Sequence, residues 1–334
     1  MCLCIALYSL SYGRINLKIY WSDRQTKPAP ADSVFRFYPF VKGDITSTHK
    51  QQLTLPTPQR VKVLKRTFSP TKEVWLKNVE KALTLIQNNQ LEKVVLARQC
   101  TFELDEQIDP FAMTAALKER AKGAFVFCLQ TDTGAFLGAS PERLFARKKR
   151  ELTCEAVAGT RKRGLTLLED ELLKQELLQS EKDLREFSYV PSYLKEKLMP
   201  LCKEPLHFTP TCVHQTQNVQ HLYAKGTSTL KAGVTDEQII QQLHPTPALC
   251  GIPKEKAFST IVDLEPFQRG LYGGILGWST QDASEWIVGI RSCLIKGKTA
   301  TLFSGTGIVE GSDPEKEWDE LNQKIKLYES ILDY

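Results

Sequence analysis

The chain has 334 residues, 42% hydrophobic and 25% charged, with a formal net charge of +5. That is ordinary globular composition, enough for two modest domains or one large α+β domain. The basic residues are scattered, no apolar run approaches a membrane span, and the five histidines show no HExxH spacing, so nucleic-acid binding, membrane insertion and a zinc enzyme are not expected.

Residues 1–10 are apolar but lack a basic n-region and a small-residue cleavage site, so no signal peptide is expected. Strands are expected near 5–10, 15–21 and 34–38, with a Pro/Ala-rich loop at 28–31. From Ser69, with Pro70 in the first turn, an amphipathic helix runs to about Asn88 through Leu76, Val79, Leu83 and Ile86. The segment 93–98, KVVLAR, is a nearly all-apolar strand with Lys93 at its entrance. Lys93 is either a strand end reaching solvent or an amine held dry, with a lowered pKa, able to act as a base. A helix near 110–121 and strands at 124–130 and 134–139 lead to Ser140-Pro141-Glu142-Arg143. The proline sets a turn, so Glu142 projects from a strand end, unless it merely pairs with Arg143. The dense basic run Arg147-Lys148-Lys149-Arg150 reads as a solvated hairpin turn. A strand at 151–157 then enters Ala158-Gly159-Thr160-Arg161, a second tight glycine turn.

Residues 180–198 have helical period, with Asp183, Glu186, Phe187, Val190 and Leu194 on one face and Pro191 expected to kink or split the helix. Each carboxylate buried in an apolar stripe costs several kcal/mol unless it is paired or metal-bound. A divalent ion shared with the C-terminal helix would satisfy both elements, and magnesium suits all-oxygen ligands. A strand at 219–230 contains His221; helices follow at 236–243 and 253–264, and a strand at 275–280 opens after Tyr272-Gly273-Gly274. Nine cysteines without a CxxC pair suit a reducing cytoplasm.

The C-terminal stretch holds the densest chemistry. Residues 286–295 read as one β-branched strand with Arg291 in its middle, turned by Lys296-Gly297-Lys298 into a strand at 299–303. Gly305-Thr306-Gly307 follows, where missing side chains let backbone amides approach a ligand. Ser312 and Glu315 have capping-box spacing with Pro314 in the first turn. On the helix wheel Trp318, Leu321, Ile325, Tyr328 and Leu332 form one apolar face. Glu317, Glu320 and Lys324 line its flank, while Glu315, Asn322, Lys326 and Glu329 face away. The flank is either a solvated ion-pair ladder or one wall of a site for an anion and a cation together. Its place beside the glycine stretch and Arg291 favours the wall. Many strands with interspersed helices, without βαβ alternation, argue α+β with largely antiparallel sheets.

Nine ordered motifs then resemble the chorismate-utilising enzymes: KVVLAR (93–98), GASPERLF (138–145), EAVAGTRKRG (155–164), KDLREFSYV (182–190), VQHL (219–222), HPTPALCGIPKEKA (244–257), LYGGILGW (271–278), IVGIRSC (287–293) and SGTGIVEGSDPEKEWDE (304–320). The likeness covers about residue 70 to the end. It implies one large α+β domain of two packed, mainly antiparallel sheets with helices outside, residues 1–68 being a short variable N-terminal part and 69–334 the catalytic core. It implies a Mg²⁺-dependent displacement on chorismate. Glu186 and Glu320 match the metal-binding glutamates, and Asp183 and Glu317 the acids behind them. Glu142 matches the general acid on the C4 hydroxyl, and Lys93 the base that activates water for attack at C2. Arg291, Tyr272, Lys324 and the amides near Gly305 and Gly307 match the clamp on the enolpyruvyl carboxylate. Gly159 and Thr160 match the turn lining the ring, and His221 and Ala248 are wall residues. The ammonia-using branch usually has glutamine where Lys93 stands and threonine at Ala248, and the aminodeoxychorismate branch a lysine where Ala158 stands. Water is therefore the implied nucleophile, isochorismate the implied product, and no obligate glutaminase subunit is expected. A salicylate-forming relative, which goes on to eliminate pyruvate, is the alternative, and a catalytically silent chorismate-binding subunit is a further one. Phe187 departs from the His or Asn common after the metal glutamate.

Overall fold

The computed structural model describes residues 17–41, 45–47, 54–215 and 219–332; the strand expected at 5–10 lies outside them. In chain order the strands are β1 Lys18–Ser22, β2 Val34–Tyr38, β3 Ile45–Ser47, β4 Val63–Ser69, β5 Lys93–Leu104 and β6 Phe125–Thr131. Next come β7 Gly134–Ser140, β8 Arg143–Lys148, β9 Glu151–Lys162, β10 His207–Phe208, β11 Cys212–Gln215 and β12 Val219–Thr229. The last are β13 Gly251–Ile252, β14 Ile275–Ser279, β15 Ala283–Val288, β16 Ser292–Lys296 and β17 Thr299–Ile308. They form two antiparallel sheets. The first runs β1-β6-β7-β16-β17-β5-β13 with β4 also on β5; the second runs β10-β12-β9-β8-β15-β14-β2-β3 with β11 also on β12.

Alternation along the strands sorts the layers. In β6, Phe125, Phe127 and Leu129 enter the layer between the sheets with Phe35, Phe37, Leu276 and Ile287. Val126 and Cys128 join the opposite layer, under the helices Pro110–Arg120 and Pro314–Ile331. The far face of the second sheet, with Leu152, Ala156, Leu222 and Trp286, is covered by the helices Glu181–Leu198 and Asp236–Leu243, while the helix Lys254–Leu264 packs on β5 and β13 of the first. The two-sheet α+β architecture thus agrees with expectation. The N-terminal segment is woven into it: β1 pairs with β6, and β2 with β14.

Several local expectations need correction. Residues 286–295 are two strands, β15 in the second sheet and β16 in the first, because the chain crosses between sheets at Gly289-Ile290-Arg291. Arg291 sits there at φ +49. Residues 158–161 are not a turn: β9 runs through them, and a bulge sets Gly159 and Thr160 against His221 of β12. Gly159 takes φ +68, which suits a residue without Cβ. The Gly305–Gly307 stretch likewise lies inside β17, paired to β5. Pro191 leaves the helix Glu181–Leu198 continuous, its buried face of Phe187, Val190, Leu194 and Leu198 holding it against the sheet. The C-terminal helix is capped by Asp313, whose side chain accepts from the Lys316 amide, while Ser312 Oγ accepts from Val309 N. The first long helix begins at Lys72 after Thr71, leaving Pro70 outside it. A helix at Leu167–Gln179 was not foreseen; its weak amphipathicity leaves Leu167, Leu168 and Leu172 exposed.

Among the described residues seven cysteines are free, and no helix is long and apolar enough to cross a membrane. Trp286 is completely buried in the second sheet's core. Its replacement by alanine is expected to cost about 3–5 kcal/mol, read as a lowered midpoint in urea denaturation.

Candidate active site

The site forms where strands pass from one sheet to the other. β7 hands over to β8 through Pro141-Glu142, and β15 to β16 through Gly289-Ile290-Arg291. The two crossings are tied together: Val288 N donates to the Glu142 carbonyl at 3.1 Å, and Ala139 N donates to the Arg291 carbonyl at 3.1 Å. The Tyr328 hydroxyl, from the C-terminal helix, also donates to the Arg291 carbonyl at 2.6 Å. A carboxyl and a guanidinium are thereby fixed on adjoining backbone.

Twelve of the residues singled out in the sequence line one pocket: Glu142, Gly159, Thr160, Glu186, His221, Ala248, Tyr272, Arg291, Gly305, Gly307, Glu320 and Lys324. Lys93 lies just beneath, fully buried, its Nζ donating to Glu186 Oε1 at 2.9 Å. The solvent-facing alternative for Lys93 is therefore excluded. Asp183 and Glu317 stand behind the wall. Asp183 is held by Arg161 at 2.6 Å and Glu317 by Lys182 at 2.6 Å. The Thr306 hydroxyl lies 2.6 Å from Glu317 Oε2 and 3.1 Å from Glu320 Oε1, so it can donate to either. Lys324 bridges the Gly305 carbonyl at 2.8 Å and Glu320 at 2.6 Å.

Burial governs the charges. It pushes the Glu142 carboxyl up to about 7, reinforced by the nearby charge of Glu155 and opposed by Lys93, Arg24 and Lys324. Arg143 does not neutralise Glu142, because its guanidinium is spent on Glu155 and Glu285. Glu317 is raised by burial and by Glu320. Burial opposes ionisation of Glu320, yet Lys324, Lys182 and Thr306 outweigh it and hold this carboxyl below its usual range. His221 is pushed down to about 3 by burial and by Arg291, so it is neutral. Its Nδ1 donates to the Gly159 carbonyl at 3.0 Å, which leaves Nε2 a buried acceptor without a described partner. The Arg291 guanidinium, which burial lowers from its ordinary value, makes no hydrogen bond or ion pair to a described residue. It is a cation left free on a pocket wall.

Glu186 and Glu320 are the carboxylates that could hold a metal. No group of three or more His, Cys, Asp or Glu side chains converges on a metal position among the described residues. Two carboxylates are the donor set magnesium takes when substrate oxygens and waters complete its shell, so the residues present fit that ion. Phe187 is packed in the core.

The sequence reading missed Arg269, Lys182, Arg161 and Arg98. Arg269 is buried, paired with Glu265, and donates to the Leu249 and Val95 carbonyls at 2.7 Å each, which secures the loop bearing Ala248. Its i,i+4 spacing from Glu265 was the available signal. The reading also set Asn322 and Glu329 facing away. Asn322 in fact accepts from buried Arg98 at 2.6 Å, and Glu329 pairs with Arg66 at 3.0 Å.

The fold agrees with comparison to known proteins. Residues 30–333 match the family described as chorismate binding enzyme. The chain belongs to the chorismate-binding enzyme family. It is 40% identical over 276 residues to isochorismate synthase 2, chloroplastic, of Arabidopsis thaliana, covering 81% of this chain and 49% of that protein. It is 39% identical over 264 residues to the isochorismate synthase MenF of Bacillus subtilis, covering 78% and 56%. The chain thus spans about half the length of these curated relatives. The structure of MenF, the menaquinone-specific isochorismate synthase of Escherichia coli, superposes with a TM-score of 0.84 at 26% identity, covering 98% of this chain and 91% of that one. The family match starts earlier than the motif resemblance did, taking in β2 as well.

In a pocket of this shape, Gly307 is a volume constraint. A Cβ there would lie 2.4 Å from Glu186 Oε1 and 2.8 Å from Lys93 Cε. Gly307→Ala is expected to lower kcat about 100-fold by displacing both groups, with the thermal melt near that of the parent chain.

Proposed function

We propose that the chain catalyses the reversible, Mg²⁺-dependent conversion of chorismate to isochorismate. The observation that carries this reading is a buried carboxyl raised to about 7, Glu142, and a buried amine, Lys93, set around one pocket with two carboxylates and an unpaired guanidinium. Arg291, Tyr272 and Lys324 would take the enolpyruvyl carboxylate, since charge-assisted bonds to an anion are the strong ones. Lys93, released from Glu186 and acting as the neutral amine after giving its extra proton to solvent, would accept a water's proton as oxygen bonds to C2. The ring double bonds shift, the C4–O bond breaks, and Glu142 gives its proton to the leaving hydroxyl. One water enters and one leaves, so nothing is oxidised or reduced. Glu186 and Glu320 would hold the magnesium ion, which when bound supplies positive charge for the ring carboxylate and polarises the ring toward loss of its C4 hydroxyl. Lys93, standing where ammonia-using relatives usually carry glutamine, supports water as the nucleophile and a chain that works without a glutaminase subunit. Free, mostly buried thiols are consistent with a reducing compartment such as the cytoplasm.

Purified chain incubated with chorismate and Mg²⁺, its products resolved by chromatography, is expected to yield isochorismate in equilibrium with chorismate. Salicylate with pyruvate would shift the assignment to the eliminating relative, and anthranilate on adding ammonia would refute the role given to Lys93. Lys93→Ala is expected to lose about 10²–10⁴-fold in kcat while remaining folded.

The pH dependence follows from Glu142. As a proton donor it acts only when protonated, and its raised value keeps it so up to about 7. The log kcat/KM profile is expected to be sustained below that pH and to fall as pH rises through it. A profile flat to well above 8 would assign the acid role elsewhere.

A further inference from the structure

The turn that carries Glu142 rests on a buried ion network reaching back to the N-terminal segment. Arg24 sits in the turn after β1, where Asp23 Oδ1 accepts from the Gln25 and Lys27 amides at 2.8 Å each. Its guanidinium grips Glu155 in bidentate fashion at 2.9 and 2.7 Å, and also donates to the Pro141 carbonyl, one residue before Glu142. Arg143, one residue after Glu142, donates to Glu155 Oε1, the oxygen that Arg24 Nη1 also reaches, at 3.0 Å and to Glu285 at 2.7 Å. Both guanidiniums stack over buried Phe125, at 4.8 and 5.2 Å. Glu155 is 1% exposed, and the two arginines with Glu155 and Glu285 form a neutral quartet directly under the turn.

We propose that Arg24, acting through Glu155, is a positioning residue for Glu142: the pair anchors both the backbone and the local charge on which the proton donor depends. This rests on the functional reading given for Glu142. The carboxyl of Glu142 is faced by Glu155 of β9, Arg24 of the β1 turn, Lys93 of β5, Lys324 of the C-terminal helix, and Tyr272. Glu155 in turn is faced by Arg24, Arg143, Tyr223 and His214. Within this set Glu155 disfavours ionisation of Glu142 and Arg24 favours it. Loss of either therefore moves the donor in opposite directions, which a merely structural defect would not do.

The test is the pH profile of kcat/KM for chorismate in Arg24→Met and Glu155→Gln, with thermal melts to establish folding. Glu155→Gln is expected to move the basic limb to lower pH, and Arg24→Met to higher pH, each by roughly 0.5–1 unit. Both are expected to lose kcat by about 10-fold through the loosened turn. Arg24→Lys keeps the charge but not the planar fork, so it is expected to restore the limb's position while recovering only part of kcat. Limbs that stay at the parent position, or that move together, overturn the proposal while the parent enzyme's turnover stands. If Glu155→Gln does not fold, Arg24→Met decides alone: a limb unmoved or moved to lower pH overturns it. Absence of isochorismate from the parent enzyme at every pH brings down the functional reading, and this inference with it.

Discussion

The structure depends on two neighbouring strand crossings that share hydrogen bonds. A sheet strand can deliver a side chain only to one of its faces; a strand that leaves one sheet for another delivers its linking residues to the seam between them. Glu142 and Arg291 are such residues, and the reciprocal bonds from Val288 to Glu142 and from Ala139 to Arg291 prevent either crossing from moving alone. The left-handed backbone of Arg291 is an unfavourable conformation for a residue with a side chain. It is held by the Tyr328 hydroxyl and by β16, which pairs with both β7 and β17. An acid and a free cation stay a fixed distance apart because the sheets on either side are rigid.

Around that seam five carboxylates are paired with cations, and each but Glu320, whose lysine lies four residues along its own helix, draws its cation from a different element; Glu142 has no such pair among the described residues. Glu186 has Lys93, Glu320 has Lys324, Glu317 has Lys182, Asp183 has Arg161, and Glu155 has Arg24 and Arg143. Removing one partner of such a pair is far costlier than the pair is worth, since it strands a charge in a poor solvent. The pairs consequently pin elements to one another: β5 to the helix Glu181–Leu198, and that helix to the C-terminal one. Only the pairs facing the pocket, those of Glu186 and Glu320, have carboxylates positioned to exchange a lysine for another cation.

What was legible in the sequence was whatever depends on local period. The apolar stripe of the C-terminal helix, the acid face of the helix Glu181–Leu198 and the strand at Lys93 could all be read from spacing, and the structure buries Trp318, Leu321, Ile325 and Leu194 accordingly. What failed needed a partner far along the chain. Asn322 looks solvent-facing on a wheel because nothing on that helix reveals Arg98, which stacks over Trp318 at 3.9 Å. Residues 286–295 look like one strand because a crossing between sheets leaves no break in β-branched character. Gly159-Thr160 looks like a turn because a bulge and a turn both call for a glycine, and only the register with β12 separates them. Arg24 lies in the segment that spacing says least about, and its significance depends on Glu155, 131 residues away.

The arrangement of chemical and apolar residues explains how precision is inherited from the core. Lys93 precedes Val94, Glu186 precedes Phe187, Glu317 precedes Trp318, Glu320 precedes Leu321, and Lys324 precedes Ile325; in each pair the second residue is buried in a core cluster. On a helix adjacent residues differ by about 100° in direction, and on a strand they face opposite ways. A site residue next to a core residue therefore cannot rotate without withdrawing apolar surface from the interior, at about 25 cal/mol for each Å² re-exposed. Arg98 reinforces this on the C-terminal helix. Fully buried, packed over Trp318 and Phe68 and bonded to Asn322, it fixes the helix about its axis between Glu317 and Lys324. The glycines at 305 and 307 complete the fit from the other side, where any Cβ would intrude on Tyr272 or on Glu186. The positions of the reactive groups follow from how the interior packs.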